Sequence, residues 1–337
     1  MTLAEVQAPL RRARGLGRGL LACGVIAGAA AFLADHYGAP VMLLALLLGM
    51  ALNFLAADEG CKPGVAFAAR TVLRLGVALL GARITFGQIA ALGWEPLAIV
   101  GAALVSTIGV SVLIARITGF NPLFGLLTGG ATAICGASAA LALSAALPAH
   151  PLKERATTFT VVGVSLLSTA AMVVYPLIAT ALGLSNAHAG IFLGGTIHDV
   201  AQVIGAGYSL SPEIGDTATV VKLARVAMLA PVILVAALIA RRGEREPGAA
   251  RPPLLPWFAV TFLVIAGINS LGWIPAPVAT AGVDASRWCL IVAIAALGLK
   301  TNVRELLAVG PRPILLIAGE TAFLAAFVLI ALRFVPA

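Results

Sequence analysis

Roughly eleven apolar runs long enough to cross a membrane follow one another along the 337-residue chain, which limits its fold to a bundle of membrane helices. Hydrophobic residues make up 61% of the chain, charged residues only 11%, and the mean hydropathy is +1.05. The loops are too short to hold a soluble catalytic domain. We therefore predict an all-α multi-pass membrane protein of about 10–11 transmembrane helices, with a cytoplasmic segment over residues 1–18 and a single transmembrane transporter domain over residues 19–337. The predicted spans are 19–34, 40–57, 65–82, 95–115, 122–148, 157–182, 188–209, 217–240, 255–273, 286–301 and 311–335.

Basic residues set the predicted orientation, because lysine and arginine concentrate in short cytoplasmic loops. Four arginines within residues 11–18 place the N-terminus in the cytoplasm, and counting spans from there places the C-terminus outside. Lys153 and Arg155 disagree, since they fall outside in this count. The disagreement predicts that a neighbouring segment is broken or re-entrant, or that one span is miscounted. The net charge of +8 therefore reflects orientation and does not indicate a nucleic-acid partner. The basic groups predicted to be cytoplasmic are Lys62, Arg70, Arg116, the 241–245 loop, Lys300 and Arg304.

Two segments of the chain resemble each other, Leu79–Pro96 (LLGARITFGQIAALGWEP) and Ala296–Pro313 (ALGLKTNVRELLAVGPRP). They lie an odd number of predicted spans apart, so they would point in opposite directions through the membrane, as the inverted repeats of secondary transporters do. Chance similarity between helix ends rich in glycine and proline is the alternative. A second similarity joins LTGGATAICGASAAL (127–141) to LGGTIHDVAQVIGAG (193–207), two predicted spans apart. No single repeat register explains both similarities.

The second of these motifs carries adjacent His198 and Asp199, followed by Gln202, inside an apolar run. On a helix, these side chains would converge on one surface and form a polar patch. Imidazole titrates nearest to neutral pH, so we assign proton coupling to His198, Asp199 and Gln202. The alternative is a buried histidine that holds neighbouring helices together by hydrogen bonds. The flanking glycines would either allow close packing or weaken the helix and free its backbone for a ligand: Gly194, Gly195, Gly205 and Gly207.

Two cations, Lys222 and Arg225, follow in the next run at membrane depth, with Asp216 as the expected N-cap of their helix. Three residues apart, they share a helix face and would direct two positive charges into one cavity. They would either attract an anionic substrate or form structural ion pairs with Asp199 and Glu320.

The 122–148 run is crowded with small and hydroxyl residues. Close helix packing through Gly125 and Gly129 is one interpretation. A broken helix is the other, because the N-terminus of a half-helix presents free N–H groups to an oxyanion. On that interpretation the substrate-binding residues are Thr128, Gly129, Gly130, Thr132, Cys135, Gly136 and Ser138.

Three motifs together, TAICGASAALALSAALP, GTIHDVAQVIGAG and GDTATVVKLARVAMLAPVIL, strongly resemble the proposed sulfate exporter family of YeiH-type bacterial inner-membrane proteins, whose function is unassigned. The resemblance runs from about the second span to the last. It implies a bacterial inner-membrane protein of ten to eleven spans, similar in repeat organisation to the cation:proton antiporter and bile-acid transporter group. Members commonly read Ser-Ile-His-Glu where this chain has Thr196-Ile197-His198-Asp199, so the carboxylate is retained on a side chain shorter by one methylene.

We therefore predict a secondary active transporter that exports a small anion (sulfate, sulfite or a sulfonate) with coupling to protons. A cation:proton antiporter that uses Asp199 as its ion-binding carboxylate is the alternative. The chain contains no Walker A pattern, and its four cysteines lack paired spacing, so neither an ATP site, a disulfide nor a metal site is expected. We expect neither a cofactor nor enzymatic activity. The expected partners are the anion and the lipid bilayer, with a homodimer by analogy to related folds.

Overall fold

The computed structural model describes residues 3–37, 39–91, 93–148, 152–240, 257–301 and 311–335, and within these ranges the regular structure is entirely helical. A π-helical turn over Ala68–Val72 joins α3 to α4. In chain order the α-helices are α1 (Leu3–Tyr37), α2 (Val41–Ala51), α3 (Lys62–Phe67), α4 (Leu73–Leu79), α5 (Phe86–Ala91), α6 (Glu95–Ile117), α7 (Pro122–Ala133), α8 (Ala137–Ala146), α9 (Lys153–Ala181), α10 (Asn186–Thr196), α11 (Val200–Leu210), α12 (Pro212–Ala227), α13 (Leu229–Ala240), α14 (Trp257–Ser270), α15 (Ala276–Lys300) and α16 (Pro311–Leu332).

Seven helical stretches of the described chain are long and apolar enough to cross a membrane. Three shorter apolar helices accompany them, α2, α11 and α14. This result confirms the all-α multi-pass class predicted from the sequence. The seven stretches are Leu16–Tyr37, Lys62–Ala82, Glu95–Ile117, Arg155–Ala181, Pro212–Ala236, Ala276–Lys300 and Ile314–Leu332.

The chain forms two compact units, one from Met1–Ala91 with Trp257–Asn302 and the other from Leu92–Pro256 with Val303–Ala337. In the first unit, α2 and α15 pack backbone to backbone. A Cβ added at Gly49 would lie 2.4 Å from the Ala295 carbonyl oxygen, and one at Gly298 would lie 2.3 Å from that of Leu46. Only glycine permits this approach.

In the second unit, α7 and α8 form a helical hairpin rather than one helix. A Cβ added at Gly130 would lie 2.3 Å from Leu143 Cδ1, so α8 folds back along α7. Leu127 and Leu147 belong to the same buried apolar cluster. The reversal occurs at Gly136, whose φ of +64° is in a region that L side chains rarely adopt. The interval 122–148, predicted as one span, is thus two helices of 12 and 10 residues.

A second hairpin is formed by α10 and α11. Gly190 lies against Thr217 and Gly194 against Ala218, so α10 runs parallel to α12. Gly207 lies against Gly215 next to the turn between α11 and α12, so α11 runs antiparallel to α12 and therefore to α10. The predicted 188–209 span is accordingly two helices of 11 residues each. Hydropathy counts apolar residues along the chain and does not register such a reversal.

Two predictions lie partly outside the described residues. The basic 241–245 loop is one, together with Arg304. The other is the second copy of the proposed repeat, of which residues 302–310 are not described. The repeat therefore stays a prediction.

Candidate functional site

The two hairpins meet at their turns, which we call tip 1 (Ile134–Gly136) and tip 2 (Ile197–Asp199). A Cβ added at Gly136 would lie 3.4 Å from His198 Cβ and 3.8 Å from its carbonyl carbon, so the tips are in van der Waals contact. At each tip one helix ends and another begins. Two helix C-termini and two helix N-termini are therefore assembled in the interior of this unit.

Lys222 of α12 joins the two tips. Its side chain is fully buried, and its Nζ donates to the carbonyl oxygen of Ile134 at 2.7 Å and to that of Ile197 at 2.9 Å. These carbonyls follow the C-terminal ends of α7 and α10, where the helix macrodipole is negative. The lysine thus supplies a positive charge to two helix ends at once.

Arg225, one turn further along α12, serves the same two ends and is 1% exposed. Its Nε donates to Ala133 O at 3.0 Å and its Nη2 to Thr132 O at 3.0 Å, both on α7. Its Nη1 donates to Gly194 O at 3.1 Å and to Ile197 O at 3.0 Å. Four of the five guanidinium N–H groups are therefore committed to backbone carbonyls.

Neither role predicted for these cations describes their observed contacts. Among the described residues, the ion pair within 4 Å joins exposed Lys62 and Glu59, so no such pair links Lys222 or Arg225 to Asp199 or Glu320. The helix carrying the cations also begins earlier than expected, because Ser211 rather than Asp216 caps α12. Asp216 instead accepts a hydrogen bond from the Tyr208 hydroxyl. Binding of an anion by the two cations stays a prediction.

His198 in tip 2 is fully buried and links tip 1 to α16. Its Nδ1 lies 3.0 Å from the carbonyl oxygen of Thr132, and its Nε2 lies 3.0 Å from Thr321 Oγ1. Because a carbonyl only accepts hydrogen bonds, Nδ1 carries a hydrogen. Nε2 can accept from the Thr321 hydroxyl, or donate to it while that hydroxyl donates to Ile317 O at 2.8 Å. The geometry accommodates both protonation states of the imidazole.

Asp199 and Gln202 do not share a helix face with His198, because helix α11 begins only at Val200. The Asp199 carboxylate caps α11 by accepting from the Ala201 N–H at 2.8 Å, and the side chain is partly exposed. The Gln202 Nε2 donates to Thr169 Oγ1 at 2.9 Å, whereas its buried Oε1 has no hydrogen-bond partner among the residues that the structure describes. The predicted patch is thus divided between an extended turn and the first turn of a helix.

Glu320 of α16 is fully buried and lies in a cluster of hydroxyl groups. Its Oε1 accepts from Thr128 Oγ1 at 2.7 Å and from Ser111 Oγ, and its Oε2 accepts from Thr132 Oγ1 at 3.0 Å. Sequence reasoning identified the acid only as a counter-charge for Lys222 and Arg225, and missed Ser111, Thr321 and Thr169 altogether. Hydroxyl residues are frequent in membrane helices, so their presence alone gave no signal.

The residues predicted to bind substrate on the first hairpin are separated by the structure. Cys135 and Gly136 lie at tip 1, and Thr132 lies in the last turn of α7, where its carbonyl oxygen contacts His198 and Arg225. Ser138 is exposed in the first turn of α8, a helix that begins without a side-chain cap. The remaining three lie further from the tip: Thr128 bonds to Glu320, Gly129 packs against Ser111, and Gly130 packs against Leu143.

Metal binding has no evident donor set in the described part of the chain, where no group of three or more His, Cys, Asp and Glu side chains is arranged to hold an ion. The residues gathered at the tips are instead hydrogen-bond donors, backbone dipoles and isolated titratable groups. Titratable groups at such depth in a membrane protein usually mark a functional site.

Fold and site together define a multi-pass α-helical membrane protein with a polar centre built from two helical hairpins. A family model described as "Conserved hypothetical protein 698" matches residues 18–317, and the chain belongs to this family. No solved structure gives a significant match. The membership predicted from the three motifs is thereby confirmed.

Similar proteins of this family carry the name UPF0324 membrane protein. The chain is 56% identical over 318 residues to UPF0324 membrane protein TauZ of Paracoccus denitrificans, with 94% of each chain covered. It is 51% identical over 327 residues to CT0845 of Chlorobaculum tepidum, covering 96% of this chain and 91% of the relative. It is 49% identical over 315 residues to RB0971 of Rhizobium meliloti, covering 93% and 91%.

Proposed function

We propose that the protein is a secondary active transporter of a small oxyanion (sulfate, sulfite or a sulfonate) and that it exports this anion across the bacterial inner membrane. The contact between the two hairpin tips is the observation that carries the proposal. Interrupted helices in the membrane interior free backbone groups with which a solute can interact, and such groups are tolerated there where they are buried in protein or line a cavity.

The oxyanion would bind at the N-terminal end of α8. The N-cap residue of this ten-residue helix is Gly136, which has no side chain with which to cap the first N–H groups, and helix N-termini favour oxyanions. The nearby side chains with thiol or hydroxyl groups are Cys135 at tip 1 and Ser138 in the first turn of α8, whereas the Thr132 hydroxyl in the last turn of α7 donates to Glu320. In this proposal Lys222 and Arg225 act mainly at a distance: they hold the tips through carbonyls and add positive potential behind them.

The hairpins also yield a topology that agrees with the basic residues. In this proposal the shorter apolar helices α2 and α14 cross the membrane in addition to the seven long stretches, which gives nine crossings in the described part of the chain, and each hairpin enters and leaves on one side. Lys153 and Arg155 then lie on the same cytoplasmic side as Arg116. One crossing, α9, separates the two hairpins, so they enter the membrane from opposite sides. Residues 127–141 and 193–207 would then form an inverted repeat. The Leu79–Pro96 and Ala296–Pro313 segments also stay oppositely oriented.

Single-cysteine labelling tests this topology. With the native cysteines replaced by serine, we expect Arg116→Cys and Arg155→Cys to react with a membrane-impermeant maleimide from the cytoplasmic side only. Leu182→Cys, in the loop before the second hairpin, and Arg333→Cys near the C-terminus should react from the opposite side. Labelling of positions 116 and 155 from opposite sides would contradict a re-entrant first hairpin and restore a full span there.

Transport itself is tested in proteoliposomes. We expect the wild type to move radiolabelled sulfate or sulfite together with protons under an imposed pH gradient, at a rate well above that of empty liposomes. Gly136→Ala should reduce this flux at least about tenfold, because its positive φ is costly for alanine by about 1–3 kcal/mol. Gly183→Ala is the matched control and should keep the wild-type flux. Its φ is also positive, +61°, so the backbone strain is similar, but it lies in the loop between α9 and α10 and no described atom lies within 4 Å of the added Cβ.

A cation:proton antiporter is the second candidate, favoured by the partly exposed Asp199 carboxylate of tip 2. The same liposomes distinguish the two functions. Exchange of sodium or potassium for protons that depends on Asp199, without any anion flux, would replace the anion proposal with the antiporter.

A further inference from the structure

Glu320 is the one acidic side chain of the described chain that is fully buried, and no described cation lies within ion-pair distance of it. An ionisable residue placed inside a membrane is costly and usually has a function, which makes its partners informative. Here they are three hydroxyls from two neighbouring helices, Ser111 of α6 and Thr128 and Thr132 of α7.

The hydroxyl cluster can satisfy the carboxyl group in both of its protonation states. As a carboxylate, Glu320 accepts one hydrogen bond from each hydroxyl. As a carboxylic acid, Oε1 can donate to Ser111 Oγ, because that hydroxyl can then donate to the Gly125 carbonyl oxygen at 2.7 Å. A proton can therefore enter or leave without stranding a buried donor or acceptor, which would cost about 1–3 kcal/mol.

The cluster is connected to the tips through Thr132. The Thr132 hydroxyl donates to Glu320 at 3.0 Å, while its carbonyl oxygen accepts from Arg225 Nη2 and from His198 Nδ1, each at 3.0 Å. Thr321, the residue after Glu320, contacts the other imidazole nitrogen of His198 at 3.0 Å. One residue thus separates the carboxyl group from both the guanidinium and the imidazole.

In the described part of the chain, no hydrogen bond or ion pair joins the Glu320 carboxyl group to a titratable or charged side chain of the surrounding helices. Helix α7 contributes none. The elements packed against α16 at this level are α6, α7, α9 and α10. Their titratable and charged residues are Glu95 and Arg116 of α6, Lys153, Glu154, Arg155 and Tyr175 of α9, and His188 of α10.

Formal charges around the tips change with the state of Glu320. The charged side chains in and around the tips are two cations, Lys222 and Arg225, and two carboxyl groups, Asp199 and Glu320. The partial charges of two helix N-termini and two C-termini offset one another. With Glu320 ionised, the formal charges of these four side chains add up to zero. One proton on Oε1 removes one negative charge and leaves a single excess positive charge, which favours an anion.

We propose that Glu320 binds the co-transported proton, so that protonation of this carboxyl group prepares the tips for the anion and both ions cross together. The proposal rests on the anion-transport function proposed above. A divalent oxyanion with one proton keeps one net negative charge, so an inside-negative potential drives the pair outward by about 2.3 kcal/mol per 100 mV. A pH gradient that is acid outside drives the pair inward, so the direction of net transport depends on which of the two is larger.

The test uses Glu320→Gln in the full-length protein, because glutamine is similar in shape to the neutral acid but cannot exchange the proton. In proteoliposomes we expect this variant to retain counterflow of labelled sulfite at equal pH, within about threefold of wild type, and to lose accumulation driven by an acid-outside gradient by at least about tenfold. Its counterflow rate should no longer vary with pH. Glu320→Asp should keep pH-driven accumulation, and Glu213→Gln, at an exposed glutamate of α12, should behave as wild type.

The outcomes separate the two proposals. If the wild type accumulates anion with protons and Glu320→Gln does so equally well, the assignment of Glu320 is overturned while the transport function stands. If a sodium gradient rather than a pH gradient drives wild-type uptake through Glu320, the group binds a metal cation and the proton assignment fails. If the wild type moves no anion at all, both proposals fail. A folding defect of Glu320→Gln would appear as aggregation in size-exclusion chromatography. In that case Thr132→Ser and Thr132→Val test the same coupling. The serine variant should keep the pH dependence of the counterflow rate, and the valine variant should lose it.

Discussion

Replacing Arg225 with lysine is expected to destabilise the protein strongly even though the positive charge is kept. The planar guanidinium reaches four carbonyl oxygens on two helices, whereas an ammonium is one compact donor atom. Buried carbonyls at the ends of α7 and α10 would lose their partners, at about 1–3 kcal/mol for each group left unsatisfied. We expect a loss of roughly 3–5 kcal/mol in the free energy of unfolding, measured as a lower thermal midpoint of the detergent-solubilised protein.

Arg116→Lys is the matched control, because Arg116 is an exposed arginine of the same unit and its replacement should leave the midpoint unchanged. Lys222→Met should weaken the protein as well, by at least about 2 kcal/mol, since it removes both bonds that join the tips. If Arg225→Lys kept full thermal stability but lost anion binding, the guanidinium would act on the substrate itself, as the sequence first suggested.

Asp199→Asn is expected to keep the fold while changing anion binding. Asparagine caps helices as well as aspartate does, so the bond from the Ala201 N–H is preserved and only the charge disappears. With one negative charge fewer beside the tips, we expect sulfite to bind about tenfold more tightly and to exchange more slowly. Radioligand binding in detergent and counterflow in liposomes measure the two quantities.

Asp199→Ala separates the charge from the cap. It should bind the anion as Asp199→Asn does but cost a further ~1 kcal/mol of stability, because the first turn of α11 loses its acceptor. If Asp199→Asn instead removed all pH dependence without changing affinity, Asp199 would itself carry the proton and Glu320 would not.

Much of the membrane architecture could be predicted from the sequence, because span length and composition are set by the hydrocarbon thickness alone. The basic residues even indicated an interrupted run: Lys153 and Arg155 disagreed with an eleven-span count, which is the result expected when one apolar run does not cross. The reversals themselves depend on backbone geometry at Gly136 and at residues 197–199, and such geometry leaves no periodic pattern in the sequence.

The sequence predicted which residues lie at the site better than it predicted what those residues contact there. His198, Lys222 and Arg225 stood out because polar groups are rare at membrane depth, and the structure does gather them at the tips. Their partners are mostly backbone carbonyls, however, and every residue in a sequence has a carbonyl. Side-chain types alone therefore suggest acidic residues as partners of the cations and do not reveal that helix ends serve this role.

The use of carbonyls to hold Lys222 and Arg225 has a consequence for acid tolerance. A carboxylate partner would lose its charge on acidification and release its cation, whereas a peptide dipole keeps its partial charge at every pH. The attachment of both tips to α12 is thus built from acceptors that never titrate. Acidification can change the occupancy of the site through His198, Asp199 or Glu320 while the framework that holds the tips together stays intact.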